Sequence, residues 1–230
     1  MLFALRFLAD DLQTFLLFFA ALAVAFVVGI AFHEFSHALT ARHLGDDTAE
    51  RLGRLTLNPL RHLDPAGTVL LLLVGFGWGK PVPVNAYNLR NGPRTGMAVV
   101  AAAGPISNFV MAALAALPVR LGLLPLAGLR PEPWWTATEY AGLFLFFLIF
   151  INVVLGLFNL IPLAPLDGFK VALGLLPADL ARSFQRLEPY GMGILMLLIG
   201  ISWLTNGAVD PLGAVISPAQ DEIFRFLTQA

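Results

Sequence analysis

Cysteine is absent from the 230 residues. That excludes disulfide staples and thiolate ligands, so any bound metal must take His, Asp or Glu. Charge is scarce too: Asp, Glu, Lys and Arg make up 13% of the chain, where a soluble domain carries about 25%. No hydrophilic stretch is long enough to fold separately. We therefore read 1–230 as a single membrane-embedded domain, with a core over about 12–176 and a C-terminal span and amphipathic tail over 189–230. Net charge is −1, which leaves no basic surplus for nucleic acid. Lysine is rare, 2 residues against 12 Arg, a compositional bias with no functional content. A basic leader is also missing. Arg6 is followed by Asp10 and Asp11, a poor start for a cleaved signal peptide, so the first span is expected to be retained.

What the chain has is apolar length. Leu12 to Phe32 is an uncharged run of 21 residues, enough to cross a hydrocarbon core ~30 Å thick at ~1.5 Å per residue. It continues without a break into His33-Glu34-Phe35-Ser36-His37. Helical residues four apart share a face, so His33 and His37 can reach one metal ion at ~2.0–2.1 Å. Glu34 sits beside the first of them, where its carboxylate can take a proton from an activated water. The competing reading is a chance H-E-x-x-H whose histidines are satisfied by local hydrogen bonds. Ionisable groups at membrane depth are costly and usually functional, which favours the metal.

The first helix is predicted over about Leu12–Leu44, stopping at Gly45. Residues 45–65 are polar and turn-rich. His62 and Asp64 lie there after Pro59, where a turn held by Asp and His competes with metal ligation. Residues 67–78 are apolar but too short to cross as a helix, and Lys80 to Leu89 alternates proline with valine. We read 67–92 as a re-entrant element plus a β-like loop, tolerable at that depth only where protein or water satisfies its backbone. Spans follow from Thr95 to Val119 and from Tyr140 onward, the second broken by Pro162 and Pro165 ahead of Asp167-Gly168. Pro105 implies a kink, and the small residues of Ala101–Gly104 allow close helix contact. Asn108 fits either a hydrogen bond to a neighbouring helix or a place at the site. Short helices are expected over Phe169–Leu176 and Ala178–Glu188, a shorter span over Tyr190–Leu204, and an interfacial amphipathic tail over Gln220–Gln229. The fold class is thus an all-α polytopic membrane protein. It has about four transmembrane helices, a re-entrant or β-like element, and short interfacial helices.

A catalytic zinc takes three protein ligands and keeps one position open. His43, Asp64, Glu139 and Asp167 are candidates for the third. If 67–78 is re-entrant, the Thr95 span leaves the motif's side of the membrane and the Tyr140 span returns to it. Asp167 then emerges beside His33. If 67–78 crossed, Asp167 would emerge on the far side. The re-entrant arrangement puts ten basic residues on the motif side (Arg42, Arg51, Arg54, Arg61, Lys80, Arg90, Arg94, Lys170, Arg182, Arg186). It leaves four (Arg6, Arg120, Arg130, Arg225) on the other. By the positive-inside rule the motif side is cytoplasmic and the N-terminus external. Asp167 has a competing role as a helix N-cap, but two histidines lacking a third ligand at its depth favour coordination.

These residues are familiar as a set. His33–His37, Asn58-Pro59 through Gly67-Thr68, Gly104-Pro105-Ile106-Ser107-Asn108, and Asn159 through Pro162, Pro165, Asp167 and Gly168 occur in that order. Over about residues 25–175 the chain resembles the site-2 protease family of intramembrane zinc metalloproteases. The resemblance implies one Zn2+ per chain, bound by His33, His37 and Asp167, with Glu34 as catalytic base. It implies that Asn159 helps hold or polarise the substrate, a role we extend to Asn108. Gly77 to Asn85 is similar to the family's membrane-associated strand region, which presents an unwound substrate. The partners implied are the lipid bilayer and a membrane protein with a transmembrane segment, cleaved near the cytoplasmic side. No appended PDZ or nucleotide-sensing domain is expected, unlike in many members. The alternative function is a metal-ion or proton-coupled transporter built on the same His/Glu/Asp cluster. Transporters often show duplicated halves, and none are seen here.

Overall fold

A computed structural model describes residues 12–65, 67, 77–126 and 135–229. Its first helix, α1 (Leu12–His43), is the long apolar run extended through the metal motif. Arg42 and His43 in its last turn complement the helix dipole. Its stop is a Schellman motif: the Asp46 N–H reaches the Ala41 carbonyl at 2.9 Å and the Gly45 N–H the Arg42 carbonyl at 3.0 Å. Gly45 makes this possible with φ +107°, a left-handed conformation that a β-carbon disfavours.

The turn after α1 is pinned by a buried acid. Asp46 is fully buried and accepts from Thr48, from the Asn88 side chain and from the Asn85 N–H. Burial pushes its carboxyl up, but those hydrogen bonds outweigh the push and hold it below its ordinary value. A short helix, α2 (Thr48–Arg51), follows. Further on, Asn58 caps a 3₁₀ turn over Pro59–Arg61 by accepting from the Leu60 N–H. The Asp64 carboxylate accepts from the Gly67 N–H at 2.9 Å.

The expectation of a re-entrant segment over 67–78 falls mostly on residues 68–76, outside the described residues. The flanks are described, and they meet. Leu63 pairs with Gly79 in an antiparallel bridge. The Lys80 N–H donates to the His62 carbonyl at 2.7 Å, and a β-carbon on Gly67 would lie 2.2 Å from the Trp78 carbonyl oxygen. The chain therefore returns at 78–80 to the place it left at 62–67. From there to Asn85 it is extended. Among the described residues there is no β-strand, so the β-like element amounts to that single bridge and a proline-spaced extended run.

The centre of the bundle is α3 (Pro93–Arg120), which continues through Pro105 and Pro118 and packs on α1, α4 (Ala137–Asn159) and α5 (Asp167–Leu175). Helix α4 opens on a capping box in which Thr136 and Glu139 satisfy each other's orphan groups. Two more elements, α6 (Ala178–Gln185) and α7 (Gly191–Leu204), lead to α8 (Pro211–Thr228). Among the described residues four stretches are long and apolar enough to cross a membrane: Phe15–His43, Pro93–Arg120, Ala137–Asn159 and Ala178–Leu204. At the Arg120 end the core is Ala112, Ala115 and Ala116 against Ile149 and Val153, and Ile223, Phe224 and Leu227 of α8 pack onto it. The tail helix thus begins earlier than its amphipathic stretch suggested. Asp210 caps it and Pro211 stands at its first position, and its apolar face rests on α3 and α4.

Candidate active site

Helix α1 presents His33 and His37 on one face, with ring centroids 4.6 Å apart. The Nε2 atoms are 3.0 Å apart, and Asp167 Oδ2 lies 3.0 Å from one and 3.2 Å from the other. Both rings are buried. Each Nδ1 faces an acceptor. For His33 it is Asn108 Oδ1 at 2.7 Å; for His37 it is the Val100 carbonyl at 2.7 Å. A neutral imidazole that donates from Nδ1 has its lone pair on Nε2. Two such lone pairs and a carboxylate oxygen, converging at about hydrogen-bond distance, repel unless a cation, a metal ion or a proton, stands among them. His, His and Asp, each oriented by a partner behind it, are a donor set suited to zinc.

The partner behind His33 is itself held. Asn108 is fully buried, and its Nδ2 donates to Asn152 Oδ1 at 2.9 Å and to the Gly29 carbonyl at 3.2 Å. This orients its oxygen toward His33. Asn152, also fully buried, donates in turn to the Leu148 carbonyl. One polar chain therefore runs from α4 through α3 to α1. Sequence reading left Asn108 between a hydrogen bond to a neighbouring helix and a place beside Asn159 at the site; its side chain bonds α1 and α4 behind the His33 ring and is not among the residues lining the cavity. Asn159 does line the cavity, with its Nδ2 turned back to the Leu155 carbonyl.

The cavity, about 480 Å³, is lined by both histidines, Asp167, Glu34 and the 78–84 run. Glu34 points across it, and its Oε2 accepts from the Val82 N–H at 3.0 Å. The extended segment is fixed on either side of that contact. Arg54, buried, donates to the Lys80 carbonyl, and Asp46 accepts from the Asn85 N–H.

The other third-ligand candidates are engaged elsewhere. His43 bonds the Leu39 carbonyl, and Glu139 caps its own helix at the far pole. His62 is buried against the Thr56 carbonyl, and Asp64 holds its turn. Asp167 does not cap α5 either: the cap position is Leu166, and no side chain bonds there.

Two glycines that sequence reading named only as parts of longer motifs have specific roles. A β-carbon on Gly104 would lie 2.5 Å from His37 Nε2 and 2.6 Å from His33 Nε2, so the α3 backbone comes this close to the rings because position 104 has no side chain. Gly104 and Asn108 are four apart on α3, as the histidines are on α1, and that matched spacing was the available signal. A β-carbon on Gly168 would meet the Leu160 carbonyl oxygen at 2.2 Å, so the glycine lets Asp167 start its helix tight against the end of α4.

Apolar helices long enough to span a bilayer, with a His/His/Asp donor set and a neighbouring glutamate at one end, define a membrane-embedded zinc metallopeptidase. Comparison with known proteins agrees. Residues 135–200 match the model of peptidase family M50. The chain is 39% identical over 197 residues to YwhC of Bacillus subtilis, provisionally named a zinc metalloprotease, covering 85% of this chain and 83% of that one. It is 30% identical over 185 residues to Rip2 of Mycolicibacterium smegmatis, which bears the same provisional description, covering 79% and 67%. No solved structure matches. The chain belongs to peptidase family M50, the site-2 proteases. The transporter alternative finds no support in these relatives.

Proposed function

We propose that the protein hydrolyses a peptide bond in or near the transmembrane segment of another membrane protein, at the cytoplasmic face of the bilayer. The observation that carries this reading is the convergence of His33 Nε2, His37 Nε2 and Asp167 Oδ2 beside the Glu34 carboxylate in one cavity. His33, His37 and Asp167 hold the zinc ion, which when bound supplies Lewis-acid activation of a water molecule and of the scissile carbonyl. Glu34 is the base that accepts the water's proton. Asn108 and the Val100 carbonyl are positioning groups: by fixing the Nδ1 proton on each ring they keep both Nε2 lone pairs directed at the same point. Asn159, in the cavity wall, holds the substrate backbone.

A transmembrane helix hides its peptide bonds in i to i−4 hydrogen bonds, so the substrate must unwind before attack. The extended 78–85 run lines the same cavity and offers backbone groups for pairing with the freed strand. Its prolines, Pro81 and Pro83, leave Val82 as the donor between them, and Glu34 holds that donor before substrate arrives.

Glu34→Gln separates base from ligand. In the reconstituted full chain with single-span substrates, zinc content should stay near wild type while cleavage, read by product mass, falls roughly 10²–10⁴-fold. Wild-type cleavage by Glu34→Gln would remove the mechanism. Orientation is tested separately with single cysteines, since the chain has none. An impermeant thiol reagent on intact cells should label Leu123→Cys and spare Arg51→Cys, both exposed positions at opposite poles. The reverse pattern would put the site on the outside.

A further inference from the structure

Beside the active-site cavity lies a second one. Met97 and Lys170 line both, and the second, of about 570 Å³, sits between the start of α3, α5 and α6. The second cavity is cationic: Arg94, Lys170 and Arg182 line it against a single acid, Glu188. Two of these cations are partly engaged. Arg94 donates from one nitrogen to the Gly174 and Leu176 carbonyls, and Arg182 pairs with Asp179. Lys170, exposed and one turn beyond Asp167 on α5, has no hydrogen bond or ion pair among the described residues. A free ammonium therefore stands at the junction of the two cavities.

We infer that the second cavity is a substrate subsite that takes acidic side chains flanking the scissile bond. The inference rests on the protease reading above and adds a substrate class to it. An extended peptide advances about 3.3–3.6 Å per residue, so with its scissile bond in the first cavity the next residues on one side enter the second. Membrane segments commonly carry Lys and Arg at their cytoplasmic ends. Three cations repel such a flank and attract an acidic one, so the subsite selects by exclusion as much as by attraction. Leu173 and Ala181 in the same lining give the stems of Glu and Asp an apolar wall.

The test uses the full chain in phosphatidylcholine vesicles with three single-span substrates that differ only in the residues flanking the cleavage site: acidic, neutral or basic. The wild type should favour the acidic over the basic flank by roughly tenfold in kcat/KM. Lys170→Glu should reverse the preference, and Arg182→Glu, farther from the metal ligands, should weaken it. Zinc content is measured for each to separate misfolding from altered choice. Equal kcat/KM on all three substrates, or a preference that Lys170→Glu and Arg182→Glu leave in place, overturns the subsite. So does a uniform fall on all three substrates together with activation of the wild type by phosphatidylglycerol, which would assign the cavity to a lipid phosphate. Failure of the wild type to cleave any of the three would overturn the protease reading itself.

Discussion

The two ends of the helix bundle are packed differently. At the Arg120 end the buried residues are Ala112, Ala115, Ala116, Ile149 and Val153, joined by apolar side chains of α8. At the His33 end, a small apolar cluster of Ala41, Leu89 and Val100 stands beside buried His33, His37, Asp46, Arg54, His62, Asn108 and Asn152. The apolar end is a matter of volume: small residues let backbones approach, and what touches what is interchangeable within limits. The polar end is a sequence of dependencies. Asn152 orients Asn108, Asn108 orients His33, and His33 and His37 face Asp167. Removing a member there unsettles the next, whereas removing a methyl group at the other end leaves a hole. A substitution at the polar end should therefore show in zinc binding and turnover, and one at the apolar end in stability alone.

Gly104→Ala is the most severe way to test that division. In an open helix the change should stabilise by about 0.5–1 kcal/mol. Gly193 and Gly200 of α7 offer that control, since among the described residues nothing stands within 4 Å of their missing β-carbons. At Gly104 the new methyl lands 2.5 Å from His37 Nε2 and 2.6 Å from His33 Nε2. We expect Gly104→Ala to lose most of its zinc and at least ~10²-fold in activity, while Gly193→Ala keeps both. Normal zinc stoichiometry in Gly104→Ala would mean that the rings and α3 are not packed as described.

Asn108→Leu is milder and sharper. It keeps the branching and the number of side-chain heavy atoms but withdraws the acceptor from His33 Nδ1 and the donor from Asn152 Oδ1. Loss of such an orienting partner typically costs 10–100-fold in metal affinity. Competition with a chelator should show that loss, and activity should recover as free zinc is raised. Loss of activity at saturating zinc with unchanged affinity would instead place Asn108 against substrate.

The residues legible in the sequence were those whose positions follow from one helix or from counting crossings. His33, Glu34 and His37 come from helical periodicity within an apolar run. Asp167 comes from the parity of the spans, and the meeting of Leu63 with Gly79 agrees with the re-entrant premise behind that count. The four spans came from apolar length. What stayed hidden depends on how helices face each other. Asn152, Asn108 and Gly104 read only as polar or small exceptions, because nothing in one dimension sets the rotation of α4 and α3 about their axes. The register of Val82 on Glu34 is hidden for the same reason. The capping box was readable and was passed over: Thr136 and Glu139 stand three apart just before an apolar run.

Ile149→Ala tests the apolar end and carries the smallest expected effect. Ile149 is fully buried against the alanines of α3. In a soluble core, truncating such a residue to Ala costs about 2–5 kcal/mol, the sum of a transfer term and a cavity term. Within a bilayer the separated helix keeps its side chain in hydrocarbon, so most of the transfer term disappears and lost dispersion contacts remain. We therefore expect a loss of about 1–2 kcal/mol in reversible unfolding in bicelles, with zinc stoichiometry unchanged and kcat/KM within roughly twofold of wild type. A loss near the upper end of the soluble range would mean that water reaches this end of the bundle when the helices separate. A drop in zinc affinity comparable to that of Asn108→Leu would mean that the apolar end sets the metal geometry too. In that case the two ends are one cooperative unit, and the division between stability and chemistry fails.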